Sequence, residues 1–86
     1  MKLLKFYTNS CCQCKALSKT LEGFNLVPIE HIDCEEDPED LVTKFQVRGL
    51  PTLVLVNDDG ELLKKFTGRI TREDVENAVN DELGNE

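Results

Sequence analysis

Three of the four cysteines in this chain lie within one short run, Cys11-Cys12-Gln13-Cys14. A cluster this tight cannot link distant segments, so it differs from the disulfide framework of a small secreted domain. Two cysteines three positions apart can instead close a short ring, and a cysteine thiolate attacks disulfides. The spacing therefore predicts thiol-disulfide exchange, with Cys11 as the attacking nucleophile and Cys14 as the resolving cysteine.

The cysteine run lies at the junction of a predicted strand, residues 2–8, and a predicted helix that ends near Gly23. Free N–H groups and the macrodipole place about half a positive charge at the start of a helix. That charge should lower the pKa of the Cys11 thiol, and Lys15, one turn further on, should lower it more. Cys11 is thus expected to carry the reactive thiolate.

The two cysteines that follow Cys11 should face different surroundings. Cys12 precedes Lys15 by three positions and Lys19 by seven, which places it on a solvated helix face. Cys14 precedes three apolar residues at helical spacing, which are Leu17, Leu21 and Phe24. Cys14 is therefore expected to point into the core.

Three further strands are predicted at residues 27–33, 52–56 and 62–67, the last two joined by a turn that ends in Asp59-Gly60. A second helix should begin with Asp37 as N-cap and Pro38 in its first turn, and it should bury Leu41, Val42 and Phe45.

A third helix should begin with Thr71 as its N-cap. Thr71 and Asp74 should form a capping box, in which each side chain bonds to the backbone N–H of the other residue. Its predicted inner stripe consists of Val75, Ala78, Val79 and Leu83. The resulting order, βαβαββα, predicts an α/β domain that covers residues 1–86. A right-handed crossover makes the first two strands parallel, and the closing hairpin adds an antiparallel pair. We expect a four-stranded mixed sheet flanked by three helices.

The chain resembles the thioredoxin family over nearly its whole length. The resemblance rests on the Cys-x-x-Cys pattern after the first strand, on the segment Val47-Arg48-Gly49-Leu50-Pro51-Thr52-Leu53, and on Lys65-Phe66-Thr67-Gly68 after the hairpin turn. It implies a thioredoxin-like fold and a protein-disulfide reductase that needs no bound cofactor. The partners it implies are disulfide-containing proteins as substrates and a separate reductase as electron donor.

The resemblance also assigns roles to residues outside the cysteine run. Pro51 should follow a cis peptide bond and pack beside the two sulfurs, and the Leu50 backbone should pair with an extended substrate peptide. The chain contains no tryptophan. Tyr7 is expected either to line the substrate groove in place of the family's tryptophan or to pack within the sheet.

One position departs from the family pattern. Lys5 stands where the family commonly buries an aspartate that relays protons. We expect this lysine to point outward from an edge of the strand; the alternative is a partly buried lysine with a lowered pKa that takes over the aspartate's proton role. The Gly-Gly pair of glutaredoxins is absent after Leu62, which favours protein disulfides over glutathione mixed disulfides as substrates.

Alternative functions remain open on the sequence alone. Cys11, Cys14, Cys34 and His31 are a candidate zinc site, although strand alternation should turn His31 and Cys34 to opposite faces. The paired cysteines could also be buried structural thiols, in a domain that serves only for docking. We expect Cys12 to be a passive exposed thiol and Cys34 a small space-filling residue.

Composition excludes several classes of function. The net charge of −7 over 86 residues does not favour nucleic acid, whose phosphates need a basic surface. The longest apolar run, at residues 53–56, is far too short to span a membrane, and Lys5 interrupts any secretory leader. A soluble cytoplasmic protein is therefore expected. We also expect a monomer.

Overall fold

The computed structural model describes residues 1–84. Its strands are β1 (Lys2–Tyr7), β2 (Ile29–Asp33), β3 (Thr52–Val56) and β4 (Leu62–Thr67); its helices are α1 (Cys12–Thr20), α2 (Leu41–Lys44) and α3 (Arg72–Gly84). The predicted order βαβαββα is confirmed. No helix within residues 1–84 combines the length and the apolar character needed to cross a bilayer.

The four strands form one mixed sheet in the order β2-β1-β3-β4. β1 is parallel to β2, where Lys5 pairs with His31, and antiparallel to β3, where Lys5 pairs with Leu53. β3 and β4 form the antiparallel hairpin, with an irregularity at Leu55/Val56. The predicted sheet is confirmed, and β1 occupies an interior position within it.

Alternating residues of β1 reach two separate hydrophobic clusters. Leu3 belongs to the cluster that packs against α1 and α3, together with Leu17, Leu21, Leu53, Leu55, Phe66, Val75, Ala78 and Val79. Leu4 and Phe6 belong to the second cluster, where Phe45 and the apolar side chains of α2 cover them. The sheet is therefore covered on both faces, and all five residues of β3 are buried.

The second helix begins later than predicted. The chain turns at residues 37–40, α2 begins only at Leu41, and Asp40 precedes it with a left-handed backbone at φ 54°. Asp37 Oδ2 accepts a hydrogen bond from Val42 N at 2.8 Å, so this side chain caps a backbone group inside α2 from outside the helix. Asp37 is therefore not the N-cap, and Pro38 is not in the first turn.

Smaller corrections concern the ends of other elements. β2 starts at Ile29 rather than residue 27 because Pro28 has no N–H to donate; its carbonyl instead accepts a bond from Leu3 N at 2.9 Å. The buried stripe of α3 ends at Val79. Leu83 is 43% exposed, so its predicted place in that stripe is wrong. Thr71 Oγ1 accepts a bond from Asp74 N at 3.1 Å, which is one of the two bonds of the predicted capping box.

Candidate functional site

Cys11 is the N-cap of α1. Its backbone is extended, with φ −85° and ψ 104°, and its Sγ accepts a hydrogen bond from Cys14 N at 3.1 Å. The turn before it is closed by a bond from Cys11 N to Thr8 O at 3.2 Å. A partly exposed sulfur therefore occupies the position where a helix start favours negative charge.

Cys14 lies beneath Cys11 on the inner face of α1. It is 3% exposed, and its Sγ lies 3.8 Å from the Phe6 carbonyl oxygen. The Cα atoms of Cys11 and Cys14 are 5.3 Å apart and the two sulfurs are within disulfide-bonding distance. Cys12 is exposed on the other side of the helix. The predicted contrast between Cys12 and Cys14 is confirmed.

Pro51 lies on the loop that leads into β3. The Leu50–Pro51 peptide bond is cis, as the resemblance implied, and Pro51 is buried. Pro51 and Gln13 line one shallow groove together with Gly68 and Arg69. Neither Cys11 nor Cys14 is among the residues that line this groove, so the packing of Pro51 beside the two sulfurs stays a prediction. No feature of the sequence had singled out Arg69.

Lys5 is buried, which contradicts the expectation of an outward lysine at an edge. Its exposure is 5%, because β1 lies between β2 and β3 and because Lys5 shares the face of Leu3, which α1 covers. Lys5 Nζ donates a hydrogen bond to Ser18 Oγ, and Ser18 Oγ donates one to the Cys14 carbonyl at 3.2 Å. Burial lowers the pKa of the Lys5 ammonium. The alternation of β1 could have revealed this face.

A second groove, of about 300 Å³, opens beside the cysteines between β1, β2 and α1. Among its lining side chains are Lys5, Tyr7, Cys14, Lys15, Ser18 and His31. The rings of Tyr7 and His31 pack edge to face, with their centroids 6.4 Å apart and their planes at 81°. Tyr7 therefore lines this groove and packs across the sheet, and its contact with a substrate stays a prediction. The groove contains cationic and neutral side chains but no carboxylate among its lining residues.

Cys34 and His31 do not complete a metal site with the paired cysteines. Cys34 packs against the cluster of Leu4 and Phe6 on the far face of the sheet, and its N–H donates to Tyr7 O at 3.0 Å. Burial raises the pKa of the Cys34 thiol. Within residues 1–84, no three histidine, cysteine or acidic side chains come close enough together to hold a metal ion. The zinc hypothesis therefore gains no geometric support.

A mixed sheet whose first strand leads into a helix N-capped by one of two closely spaced cysteines supports a thiol-disulfide oxidoreductase of the thioredoxin-like class. The model of the thioredoxin family, described as Thioredoxin, matches residues 1–81, and the chain belongs to this family. It is 34% identical over 68 residues to the SPbeta prophage-derived thioredoxin-like protein YosR of Bacillus subtilis, covering 79% of this chain and 82% of that protein.

The chain is also similar to solved structures of thioredoxins. Thioredoxin 1 from Thermosipho africanus matches with a TM-score of 0.75 and 25% identity, over 100% of both chains. A mutant thioredoxin from Halobacterium salinarum matches with a TM-score of 0.79 and 28% identity, over 93% of this chain and 72% of that one. Both similarities agree with the four-stranded mixed sheet and three helices described above.

Proposed function

We propose that the protein reduces disulfide bonds in other proteins through a Cys11/Cys14 dithiol-disulfide cycle. The Cys11 thiolate attacks one sulfur of the substrate disulfide, and the other substrate sulfur leaves as a thiolate. Cys14 then attacks Cys11 Sγ, the bond between Cys11 and the substrate breaks, and the second substrate thiolate leaves. The substrate gains two electrons, and the protein is left with a Cys11–Cys14 disulfide.

One observation carries this proposal: a partly exposed sulfur caps α1 while its partner sulfur is buried within bonding distance. The exposed position of Cys11 suits it to meet a substrate first. The buried position of Cys14 suits it to act only after Cys11 has reacted. Lys15, exposed one turn beyond Cys11, adds a positive charge that favours the Cys11 thiolate.

The substrate segment should lie along the loop before β3. Leu50 is partly exposed and precedes the buried Pro51, so its backbone can pair with an extended peptide as a strand would. Tyr7 offers an aromatic surface on the opposite side of α1. Regeneration needs a reductase that returns two electrons. The proposal places the protein in the cytoplasm, where thiols are kept reduced, and takes it to act as a monomer.

Substitution of each cysteine tests the cycle. With a model protein disulfide and an excess of a dithiol reductant, we expect Cys11→Ser to abolish the added reduction rate. With the reductant removed, pre-reduced Cys14→Ser should accumulate a mixed disulfide at Cys11. Cys34→Ser is the matched control and should retain the rate. Full activity of Cys11→Ser, or trapping at Cys12 or Cys34 instead of Cys11, would overturn the proposal.

A further inference from the structure

The register of the sheet brings three separated segments of the chain to the end where β1 stops. Phe6 of β1 pairs with Thr52 at the start of β3, and Thr52 pairs with Thr67 at the end of β4. The residues that lead into α1, the loop before β3 and the loop after β4 therefore lie at one end of the sheet, which we call the site end. The three segments are residues 8–15, 46–51 and 68–72.

The site end is basic, although the chain as a whole is acidic. Its three segments contain no carboxylate, whereas the whole chain has 17 acidic residues and a net charge of −7. Its cations are Lys15, Arg48, Arg69 and Arg72. Arg72 pairs with Glu76 at 3.5 Å. The ion pairs within residues 1–84 include none of the other three cations, each of which is exposed.

The acidic run that follows β2 belongs to the other face of the sheet. Four carboxylates between residues 33 and 39 line a cavity of about 360 Å³ together with Leu4 and Phe45. Leu4 and Phe45 belong to the hydrophobic cluster that α2 covers, whereas α1 packs on the opposite face. A partner that approaches α1 and the proline loop therefore meets the cations of the site end.

Arg69 is the cation that borders the groove beside Pro51. This groove, the Pro51 groove, has a volume of about 490 Å³ and begins at Gln13 in the cysteine run; the described residues that line it include no carboxylate. Arg69 also borders a neighbouring groove with Asp74 and Asp81, but it forms an ion pair with neither of them. The Arg69 guanidinium is therefore available to an acidic group in the Pro51 groove.

The remainder of the Pro51 groove suits an extended peptide. Its other lining residues are small, apolar or uncharged: Ala16, Leu17, Thr20, Gly68 and Ile70. A substrate peptide that lies along Leu50 and continues past Pro51 towards the end of β4 reaches Arg69. A guanidinium is planar and presents its N–H groups as a fork, which matches the two oxygens of a carboxylate. An aspartate or glutamate side chain is therefore the substrate group that fits here.

We propose that Arg69 selects disulfide substrates that carry an acidic side chain next to the reacting cysteine, an inference that rests on the proposed function. The Arg69 guanidinium pairs with that carboxylate while the peptide backbone lies along Leu50. Lys15 and Arg48 attract the same charge from further away and offset the repulsion that a net charge of −7 exerts on acidic partners. Arg69 sets substrate specificity and takes no part in the exchange of disulfide bonds.

Peptides with a single cysteine, joined by a disulfide to thiopyridine, test this selection. Cys11 attacks the peptide sulfur; thiopyridine leaves with the electron pair and takes up a proton, and the peptide stays bound to Cys11 as a mixed disulfide. The coloured thiopyridine reports this step alone, and a reduced Cys12→Ser/Cys34→Ser background removes the other exposed or partly exposed thiols.

Three peptides differ only in the residues on both sides of the cysteine, which are glutamate, glutamine or lysine. Each second-order rate constant is divided by the rate constant of the same peptide with N-acetylcysteine amide. This neutral thiol corrects for the intrinsic reactivity of each peptide disulfide. The ratio between two peptides also cancels any effect of a variant on the Cys11 thiolate itself.

At low salt, the parent protein should prefer the glutamate peptide over the glutamine peptide by about three- to fivefold, which is the upper part of the range for an exposed charge pair. The lysine peptide should react most slowly. The preference should fall towards one in about 1 M salt, where the Debye length is about 3 Å. Arg69→Gln should remove most of the preference, and Arg69→Lys should keep more of it than Arg69→Gln, because it retains the charge but not the fork.

Lys44→Gln is the matched control. It makes the same change in net charge at an exposed residue of α2, on the other face of the sheet, and should keep the full preference. Equal corrected rates for the glutamate and glutamine peptides, or a preference that survives Arg69→Gln, would overturn the role of Arg69. An equal loss of preference in Lys44→Gln would also overturn it, because selection would then follow net charge.

Failure of the proposed function has a different signature. All three peptides need Cys11, so a parent protein that reacts no faster than Cys11→Ser with any of them would refute the cycle itself. A parent that reacts with all three at equal corrected rates would leave the cycle intact and refute only the selection by Arg69. Circular dichroism and thermal unfolding of every variant establish that it is folded.

Discussion

Replacing Lys5 by methionine should stabilise the folded protein. Methionine has a similar length and no charge, so the cost of burying an ammonium disappears. The lost hydrogen bond to Ser18 Oγ costs about 1 kcal/mol, while Ser18 keeps its bond to the Cys14 carbonyl. Replacing a buried ion pair by apolar side chains often gains about 1–4 kcal/mol. Lys5 is a single charge beside an open groove, so we expect its replacement to gain an amount near the lower limit of that range.

We therefore expect the free energy of unfolding to rise by about 1–2 kcal/mol at pH 7 in Lys5→Met. For a domain of this size such a change raises the Tm by roughly 4–8 °C per kcal/mol. The measurement is urea denaturation of the oxidised protein in a Cys12→Ser/Cys34→Ser background. Lys2→Met is the control: it loses the exposed 2.9 Å ion pair with Glu30 and should be destabilised by at most about 1 kcal/mol.

The advantage of methionine should also depend on pH. Burial lowers the pKa of Lys5 below its ordinary value of 10.5, so the unfolded chain holds this proton more tightly than the folded chain does. The parent protein therefore gains stability as pH rises from the folded pKa through 10.5, whereas methionine has no proton to lose. The advantage of Lys5→Met should be largest below that interval and smallest above it, where only the neutral amine and its hydrogen bond to Ser18 Oγ are compared with methionine. A constant difference, or a less stable Lys5→Met at every pH, would refute the reasoning.

Three other predictions concern the core, a helix cap and a free thiol. Leu53→Ala should lower the free energy of unfolding by about 2–5 kcal/mol in urea denaturation, because Leu53 is 0% exposed and truncation leaves a cavity; a loss below 1 kcal/mol would contradict this packing. Thr71→Ala should cost about 1 kcal/mol in the same assay, whereas Thr71→Ser should restore most of it, because Thr71 Oγ1 caps Asp74 N. In the oxidised protein, iodoacetamide should alkylate exposed Cys12 faster than Cys34 at pH 8, since burial raises the Cys34 pKa and leaves less thiolate; equal rates by mass spectrometry would argue against that burial.

The sequence was most informative where local pattern alone decides the structure. The bounds of β3 and β4 agree with the prediction, because an apolar run and an Asp-Gly turn mark a hairpin without reference to the rest of the chain. The orientation of Cys14 followed from helical spacing for the same reason. In both cases the residues that decide the structure are close together in the chain.

The sequence was least informative where distant segments decide the structure. The burial of Lys5 depends on the placement of β1 between β2 and β3 and on the cover that α1 provides, neither of which the residue type of a lysine suggests. The late start of α2 depends on the Asp37 side chain, which bonds to Val42 N instead of capping a helix that begins beside it. Arg69 reaches the Pro51 groove only through the path of the loop after β4.

One sulfur atom both begins a helix and carries the proposed chemistry. The Cys14 amide donates its hydrogen bond to Cys11 Sγ, so the strength of that bond follows the charge on the sulfur. Solvent exchange of a single backbone hydrogen therefore reports the redox state: it should be slowest when Cys11 is a free thiolate and faster when the sulfur is covalently occupied. The first turn of α1 would loosen and tighten once in every catalytic round.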